Sequence, residues 1–159
     1  MKYNPIAPLF FDENITHLKS HQPKSDLIIT SGDRKTRFDK TAPMKFPVTE
    51  DEHRRLRWMY QTLKTEVKAE SITHFFTMLV RFGFRHPDLL GPPSSYKNTD
   101  THKTVKPNQV EKEMLTRLSI QWNLSERKTL YGVVFSVLSY IEKGGRLAHE
   151  EVQPFRPSK

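Results

Sequence analysis

The sequence predicts a mainly α-helical fold with one short two-stranded antiparallel ribbon, in which two similar units pack as a pseudo-dimer within one chain. An alternating segment, a capped amphipathic helix, a polar break and a more apolar helix occur across 44–85 and again across 102–145. Neither unit could bury its apolar side alone, whereas two units can share one core and pair their strands. The linker 86–101 is long enough to return the chain from a helix end to the start of a neighbouring strand.

Proline, glycine and serine residues mark the boundaries of five segments. We expect residues 1–43 to form a flexible basic arm that can close a small hairpin around Ser31-Gly32, and residues 146–159 to form a polar C-terminal tail. Between them lie the first unit (44–85), the linker (86–101) and the second unit (102–145).

The composition favours a polyanionic partner. The 159 residues include 26 Lys and Arg against 18 Asp and Glu, a formal net charge of +8, which favours nucleic acid first and an anionic membrane surface second. Cysteine is absent, so no disulfide and no cysteine zinc site is expected. No stretch approaches the roughly 18 apolar residues of a membrane span, and the amino terminus lacks the apolar core of a signal peptide. We therefore expect a cytoplasmic protein without a membrane partner.

The segment 44–48 has the pattern of a half-buried strand, because apolar residues alternate with others. Met44, Phe46 and Val48 would share the core-facing side, so that Lys45 and Pro47 would face away from it. Proline cannot donate to a strand ladder, so Pro47 requires a strand with a free edge, as both strands of a two-stranded ribbon have.

Capping residues define the helices of the first unit. Thr49 and Glu52 can form a capping box, after which apolar residues at helical spacing predict a helix to about Lys68. Ser71 can cap the second helix, whose many large apolar residues predict burial on more than one side.

The second unit repeats this order with a weaker strand, 102–106. Asn108 and Glu111 repeat the capping box of a helix that ends near Trp122, and Ser125 caps the last long helix. The caps of the two first helices are 59 residues apart and those of the two second helices are 54 apart. We therefore expect the copies to differ mainly by about five residues in the first helix.

Strand, helix, short break and helix is the order of the ribbon-helix-helix family. Both 44–85 and 102–145 resemble the unit found in Arc- and MetJ-like repressors, and their fusion in one chain is similar to accessory DNA-binding proteins of conjugative transfer systems. The resemblance implies an antiparallel ribbon that enters the major groove of DNA, with the start of each second helix on backbone phosphate. Pro47 in the first strand and the weakly apolar second strand depart from the family's pattern.

A ribbon in the major groove presents every second side chain to the base edges. The side chains that would face DNA carry hydrogen-bonding groups, apart from one proline. These candidate base-reading residues are Lys45, Pro47, His102, Thr104 and Lys106. Lysine can donate to guanine acceptors, and threonine can meet a base edge or the thymine methyl group. The alternative is that these residues are merely solvent-facing.

The starts of the second helices are candidate phosphate sites, because exposed N–H groups and the positive end of the helix dipole attract anions there. The residues that can contribute contacts are Ser71, Thr73, Ser125, Arg127, Lys128 and Thr129. The serines could also be ordinary caps, which is compatible with phosphate binding. Arg127 and Lys128 make the second site the stronger of the two.

The sequence therefore predicts a protein that binds specific double-stranded DNA sequences. It would act as a relaxosome or transfer-origin accessory factor of a plasmid or mobile element, or as a transcriptional repressor. Further candidate partners are a relaxase or another DNA-processing protein, and a second copy of the chain on repeated DNA sites. The rival interpretation is an all-helical adaptor that binds another protein, with 44–48 and 102–106 as loops.

Other patterns carry less information. The basic cluster His53, Arg54, Arg55 and Arg57 adjoins three acidic residues, which is typical of a solvated helix face. His17 and His21 have the i, i+4 spacing of metal ligands, but no third ligand is evident, so no metal site is expected. No catalytic motif stands out, and we expect neither enzymatic activity nor a cofactor.

Overall fold

The computed structural model describes residues 41–158, so the predicted arm hairpin and the pair His17 and His21 lie outside the described residues. The described part is mainly helical with one two-stranded antiparallel sheet, as predicted. In chain order its strands and helices are β1 (Met44–Pro47), α1 (Glu50–Leu63), α2 (Ile72–Arg85), β2 (His102–Val105), α3 (Gln109–Trp122) and α4 (Glu126–Glu142). Short 3-10 helices lie at Pro87–Leu89 and His149–Val152. Within 41–158, no helix is both long enough and apolar enough to cross a membrane.

The ribbon has a defined register. It pairs Met44 with Val105, Lys45 with Thr104, Phe46 with Lys103 and Pro47 with His102. Side chains of directly opposed residues project from the same face of a sheet. Phe46 and Val105 are fully buried and mark the core-facing side, whereas Lys45 and Thr104 project from the other face. The all-helical fold of the rival interpretation is therefore wrong, because the paired strands Met44–Pro47 and His102–Val105 occupy the segments that it required to be loops.

Both first helices begin with the predicted capping boxes. The Thr49 hydroxyl accepts from Glu52 N, and the Glu52 carboxylate accepts from Thr49 N at 2.7 Å. Asn108 and Glu111 make the same reciprocal pair at the start of α3. Each box satisfies two N–H groups that a helix start otherwise leaves unpaired.

Helix α1 ends at Leu63, five residues before the predicted end. Residues 64–68 form hydrogen-bonded turns, in which Ala69 N donates to Lys64 O at 2.8 Å and Lys68 has a left-handed φ of 58°. Helices α1 and α3 therefore have the same length of 14 residues. The additional residues of the first unit lie in the connection between its helices and not in a longer helix.

The two sequence units share one hydrophobic core. Buried residues of both strands and all four described helices belong to a single cluster. Helices α2 and α4 pack against each other, and each also packs on the strand of the other unit: α2 on β2 and α4 on β1. The Phe46 ring of β1 lies edge-on to Phe76 of α2 at 6.2 Å and to Phe135 of α4 at 6.4 Å between centroids.

The C-terminal segment, which we expected to be a polar tail, packs against the helical core. Leu147 and Val152 are buried, and the 3-10 helix that contains Val152 lies against α2. The Arg85 guanidinium lies 4.1 Å from the centre of the Phe155 ring and donates to the Glu151 carbonyl at 2.8 Å. Two buried apolar residues and the contacts of Glu151 and Phe155 anchor this segment, although its overall composition suggested a tail.

Candidate nucleic-acid interface

The side of the ribbon that points away from the core carries four polar side chains. We call the surface formed by these residues the outer face: Lys45, His102, Thr104 and Lys106. Lys45, His102 and Lys106 are exposed, and Thr104 is half-buried opposite Lys45. The face therefore combines two lysines, a hydroxyl group and an imidazole, all of which can contact base edges in a DNA groove.

Pro47 does not join this group. It occupies the predicted position in the register, opposite His102, but it is buried. A buried ring has little surface to present to a base edge, so the prediction that Pro47 reads DNA loses its physical basis. Alternation identified which face Pro47 belongs to, but burial depends on the packing of neighbouring segments around the strand end.

A hydrogen bond orients the ring of His102. Its Nδ1 lies 3.1 Å from the Asp100 carbonyl oxygen, which can only accept, so Nδ1 carries the donated proton. The other ring nitrogen, Nε2, is then the acceptor of the neutral imidazole. In this tautomer His102 is suited to an amino group of adenine or cytosine.

The end of β2 is held against α2. Lys106 N donates to the Thr77 hydroxyl at 3.1 Å, and the Thr77 hydroxyl donates to the Thr73 carbonyl at 2.9 Å. Thr77 lies six residues after Ser71, which corresponds to about 9 Å along a helix axis. This contact brings the start of α2 close to the outer face at Lys106.

The N-termini of α2 and α4 are capped by the two predicted serines. Ser71 Oγ accepts from His74 N at 3.1 Å, and Ser125 Oγ accepts from Lys128 N at 3.2 Å. Both serines are exposed, and Thr73 is half-buried. Capping satisfies only one of the four unpaired N–H groups of each start, so donors remain for an anion.

The three basic or hydroxyl residues that follow Ser125 differ in their access to solvent. Arg127 is exposed, and Lys128 is half-buried with its Nζ 5.6 Å from the centre of the Tyr96 ring. Thr129 is fully buried, and its hydroxyl donates to the Ser125 carbonyl at 2.9 Å. Thr129 therefore stabilises the helix start internally and does not present its hydroxyl to a phosphate.

A second group of basic side chains, absent from the predicted set, lies beside the ribbon: His53, Arg57 and Lys103. Burial, followed by the charge of Arg57, lowers the pKa of Lys103. Burial, Lys103 and Arg57, in that order, lower the pKa of His53. The neighbouring arginines of α1 are instead paired with carboxylates, Arg54 with Glu50 and Asp51, and Arg55 with Glu142. His53 and Arg57 of α1 therefore lie near Lys103 of β2, which the register places opposite Phe46 on the core-facing side of the ribbon.

No protein-family model, curated protein or solved structure matches this chain. Within residues 41–158, no three side chains of the metal-binding types lie together in a way that could hold an ion. The geometry and charge of the ribbon and of the helix starts are therefore the features that bear on function.

Proposed function

We propose that this chain is a single-chain ribbon-helix-helix protein that binds specific duplex DNA sequences through the outer face of its ribbon. The observation that carries the proposal is the register of the ribbon. Lys45 and Thr104 are directly opposed, and they are 59 residues apart, as are the helix caps Thr49 and Asn108. Residues at equivalent positions of the two units therefore meet across the ribbon.

This coincidence is what a two-fold axis through an antiparallel ribbon requires. Equivalent strand residues lie opposite each other only where the axis passes between them. The same offset relates Phe46 to Val105 and Met44 to Lys103, and the register pairs Phe46 with Lys103 and Met44 with Val105. A two-fold rotation therefore converts one of these pairs into the position of the other, which supports a pseudo-dimer in one chain.

Contacts across the two units also support this arrangement. Glu52 of the first capping box accepts a hydrogen bond from the Tyr131 hydroxyl of α4, and burial together with this bond raises the pKa of Tyr131. Glu111 of the second box accepts from Arg81 of α2 at 2.7 Å. In each case the glutamate of one unit's first helix binds the other unit's second helix.

Charge favours DNA over a protein partner for this surface. The outer face carries two lysines and a histidine and no carboxylate. The whole chain has a formal net charge of +8. Lysines and helix N-termini that contact phosphates would release counterions, so we expect affinity that falls steeply with salt.

Two biological uses fit such a protein, and both would operate in the cytoplasm. It would repress transcription at an operator, or it would mark the transfer origin of a plasmid or mobile element for a relaxase or another DNA-processing protein. On repeated sites, neighbouring copies would bind side by side. The position of the bound sequence relative to a promoter or a nicking site distinguishes the two uses.

Selection from a random duplex-DNA pool, with the bound fraction sequenced at two salt concentrations, tests the proposal. We expect a short shared motif that persists at the higher salt, because base contacts do not depend on counterion release alone. Retention without a motif would indicate binding through charge only. If no duplex is retained at either salt concentration, the proposed function is wrong.

A further inference from the structure

We propose that the DNA site of this protein is asymmetric, with one end of the ribbon reading bases through His102 and the other through Lys106. This inference rests on the proposed function and on the two-fold relationship between the strands. A symmetric ribbon would present the same side chains to both halves of a site and would favour a palindrome. The outer face of this ribbon presents different side chains to the two halves.

The axis passes between Lys45 and Thr104, so the central pair itself is unlike. Lysine offers only donors, whereas the threonine hydroxyl can donate or accept and its methyl group can meet thymine. The base pairs at the centre of the site therefore meet different chemistry on their two sides.

The difference increases toward the ends of the ribbon. The 59-residue offset relates His102 to Pro43 and Lys106 to Pro47, so each of these two polar residues has a proline as its equivalent in the first unit. Pro43 is exposed but has no side-chain donor or acceptor, and Pro47 is buried. Polar contacts at both ends therefore come from β2 and the residue that follows it.

The two ends also offer opposite hydrogen-bonding groups. His102 is paired with Pro47 at one end of the ribbon. Its Nδ1 is directed at the Asp100 carbonyl, which leaves Nε2 as an acceptor in the neutral ring. Lys106 lies at the other end and can only donate. We expect the His102 end to favour adenine or cytosine amino groups and the Lys106 end to favour guanine O6 and N7.

The test uses the full chain and the duplex that the selection recovers. Every base pair of that duplex is substituted in turn, and affinities are measured for the wild type, His102→Ala and Lys106→Ala. Mismatches in the wild-type site should weaken binding roughly 5- to 150-fold. His102→Ala should remove that discrimination in one half only, and Lys106→Ala in the other half only.

A gain-of-function variant complements these losses. Pro43→His places an imidazole at the position equivalent to His102, in an exposed residue outside β1, so the fold should tolerate it. Selection with this variant should return a more symmetric motif than selection with the wild type.

The outcomes separate the two proposals. A palindromic wild-type motif, or variants that each relax both halves equally, would overturn the asymmetry while leaving DNA recognition intact. Recovery of no motif would instead count against the proposed function. Circular dichroism of each variant checks that the helical content is retained.

Discussion

Arg81 Nε lies 2.7 Å from Glu111 Oε1 in the interior of the protein, where the two side chains are 9% and 1% exposed. The pair joins α2 of the first unit to the start of α3 in the second. The same carboxylate also accepts from Asn108 N at 2.9 Å and from Phe155 N at 3.2 Å. One buried group therefore connects the two units, a helix cap and the C-terminal segment.

We expect Glu111→Gln to destabilise the protein by about 3–5 kcal/mol, because it leaves the Arg81 charge buried without its counter-charge. Glutamine retains the size of the side chain and one acceptor for the capping box, but its amide nitrogen replaces the oxygen that accepts from Arg81 and Phe155, so the loss combines the missing charge with two missing acceptor contacts. Urea denaturation measures the free energy of unfolding.

Two variants control this prediction. Glu113→Gln changes an exposed glutamate of the same helix and should stay within about 0.5 kcal/mol of the wild type. Arg81→Met combined with Glu111→Gln removes both charges and should recover much of the loss. Equal stability of the Glu111 and Glu113 variants would show that the buried pair contributes no net stability.

Lys68→Gly should stabilise the protein by about 0.5–1 kcal/mol. Lys68 has a φ of 58°, a conformation that costs an L-residue about 1–2 kcal/mol, whereas the added entropy of glycine in the unfolded chain costs about 0.5–1 kcal/mol. Lys64→Gly is the matched control, because Lys64 has a right-handed φ of −54° and should lose about 0.5–1 kcal/mol. Thermal unfolding of both variants gives the sign of each change in stability. If both variants are stabilised or both are destabilised, the interpretation of Lys68 is wrong.

Two neighbouring residues, Val67 and Lys68, show why the end of α1 could not be predicted. Val67 continues the apolar stripe of α1 and is fully buried, although it lies in a turn, so the stripe extends past the helix. The helix gives way to turns at Lys64, which keeps a right-handed conformation, and the turns end at the left-handed Lys68; neither lysine gives a stop signal in the sequence. Helix α3 ends instead at a left-handed Asn123, which is typical of a helix end, and the predicted end near Trp122 is confirmed.

The predictions for the candidate site divide in the same way. Local patterns were sufficient for the caps Ser71 and Ser125 and for the facing of Lys45 and Thr104, because capping and strand alternation act over a few residues. The burial of Pro47 and Thr129 depends on packing against distant segments. The proximity of Arg57 to Lys103 likewise depends on how the ribbon is seated on the helices.

His74 should make the stability of the fold depend on pH. Its Nδ1 accepts from Glu70 N at 3.2 Å, and burial, followed by the charge of Arg81, lowers its pKa from the ordinary 6.5. The unfolded chain therefore binds more protons than the folded chain as the pH falls below 6.5, so the free energy of unfolding decreases there.

His74→Asn tests this dependence, because asparagine does not titrate and its Oδ1 occupies the position of Nδ1, the atom that accepts from Glu70 N. Between about pH 7 and about pH 5 its free energy of unfolding should fall less than that of the wild type. The pKa of His53 is also lowered, so the variant should show a smaller slope and not a flat profile. Parallel profiles for the variant and the wild type would contradict the assignment to His74.

Lys45→Ala combined with Lys106→Ala should reduce DNA affinity without unfolding the protein. Both side chains are exposed on the outer face, so their removal creates no cavity, whereas each direct base contact contributes roughly 1–3 kcal/mol of discrimination. Affinity for the selected duplex should fall by more than affinity for a scrambled one. The control is Lys112→Ala on α3, which should change neither, and an unchanged double variant would contradict base reading by the ribbon.

Ser125→Ala, Arg127→Ala and Lys128→Ala should weaken binding to all duplexes alike, because phosphates carry no sequence information. For Arg127 and Lys128, each lost phosphate contact should also reduce the slope of log affinity against log salt by about one. Ser125→Ala should leave the slope nearly unchanged, since it removes a cap that accepts from Lys128 N at 3.2 Å and not a charge.

Stability separates these two roles of the helix start. Loss of the cap should cost about 1 kcal/mol of unfolding free energy, whereas Arg127→Ala, at an exposed position, should cost less than about 0.5 kcal/mol. A selective loss for one DNA sequence would contradict phosphate contact, because it would place Arg127 or Lys128 at a base edge. A uniform loss with a shallower salt slope would establish the start of α4 as part of the DNA-binding surface.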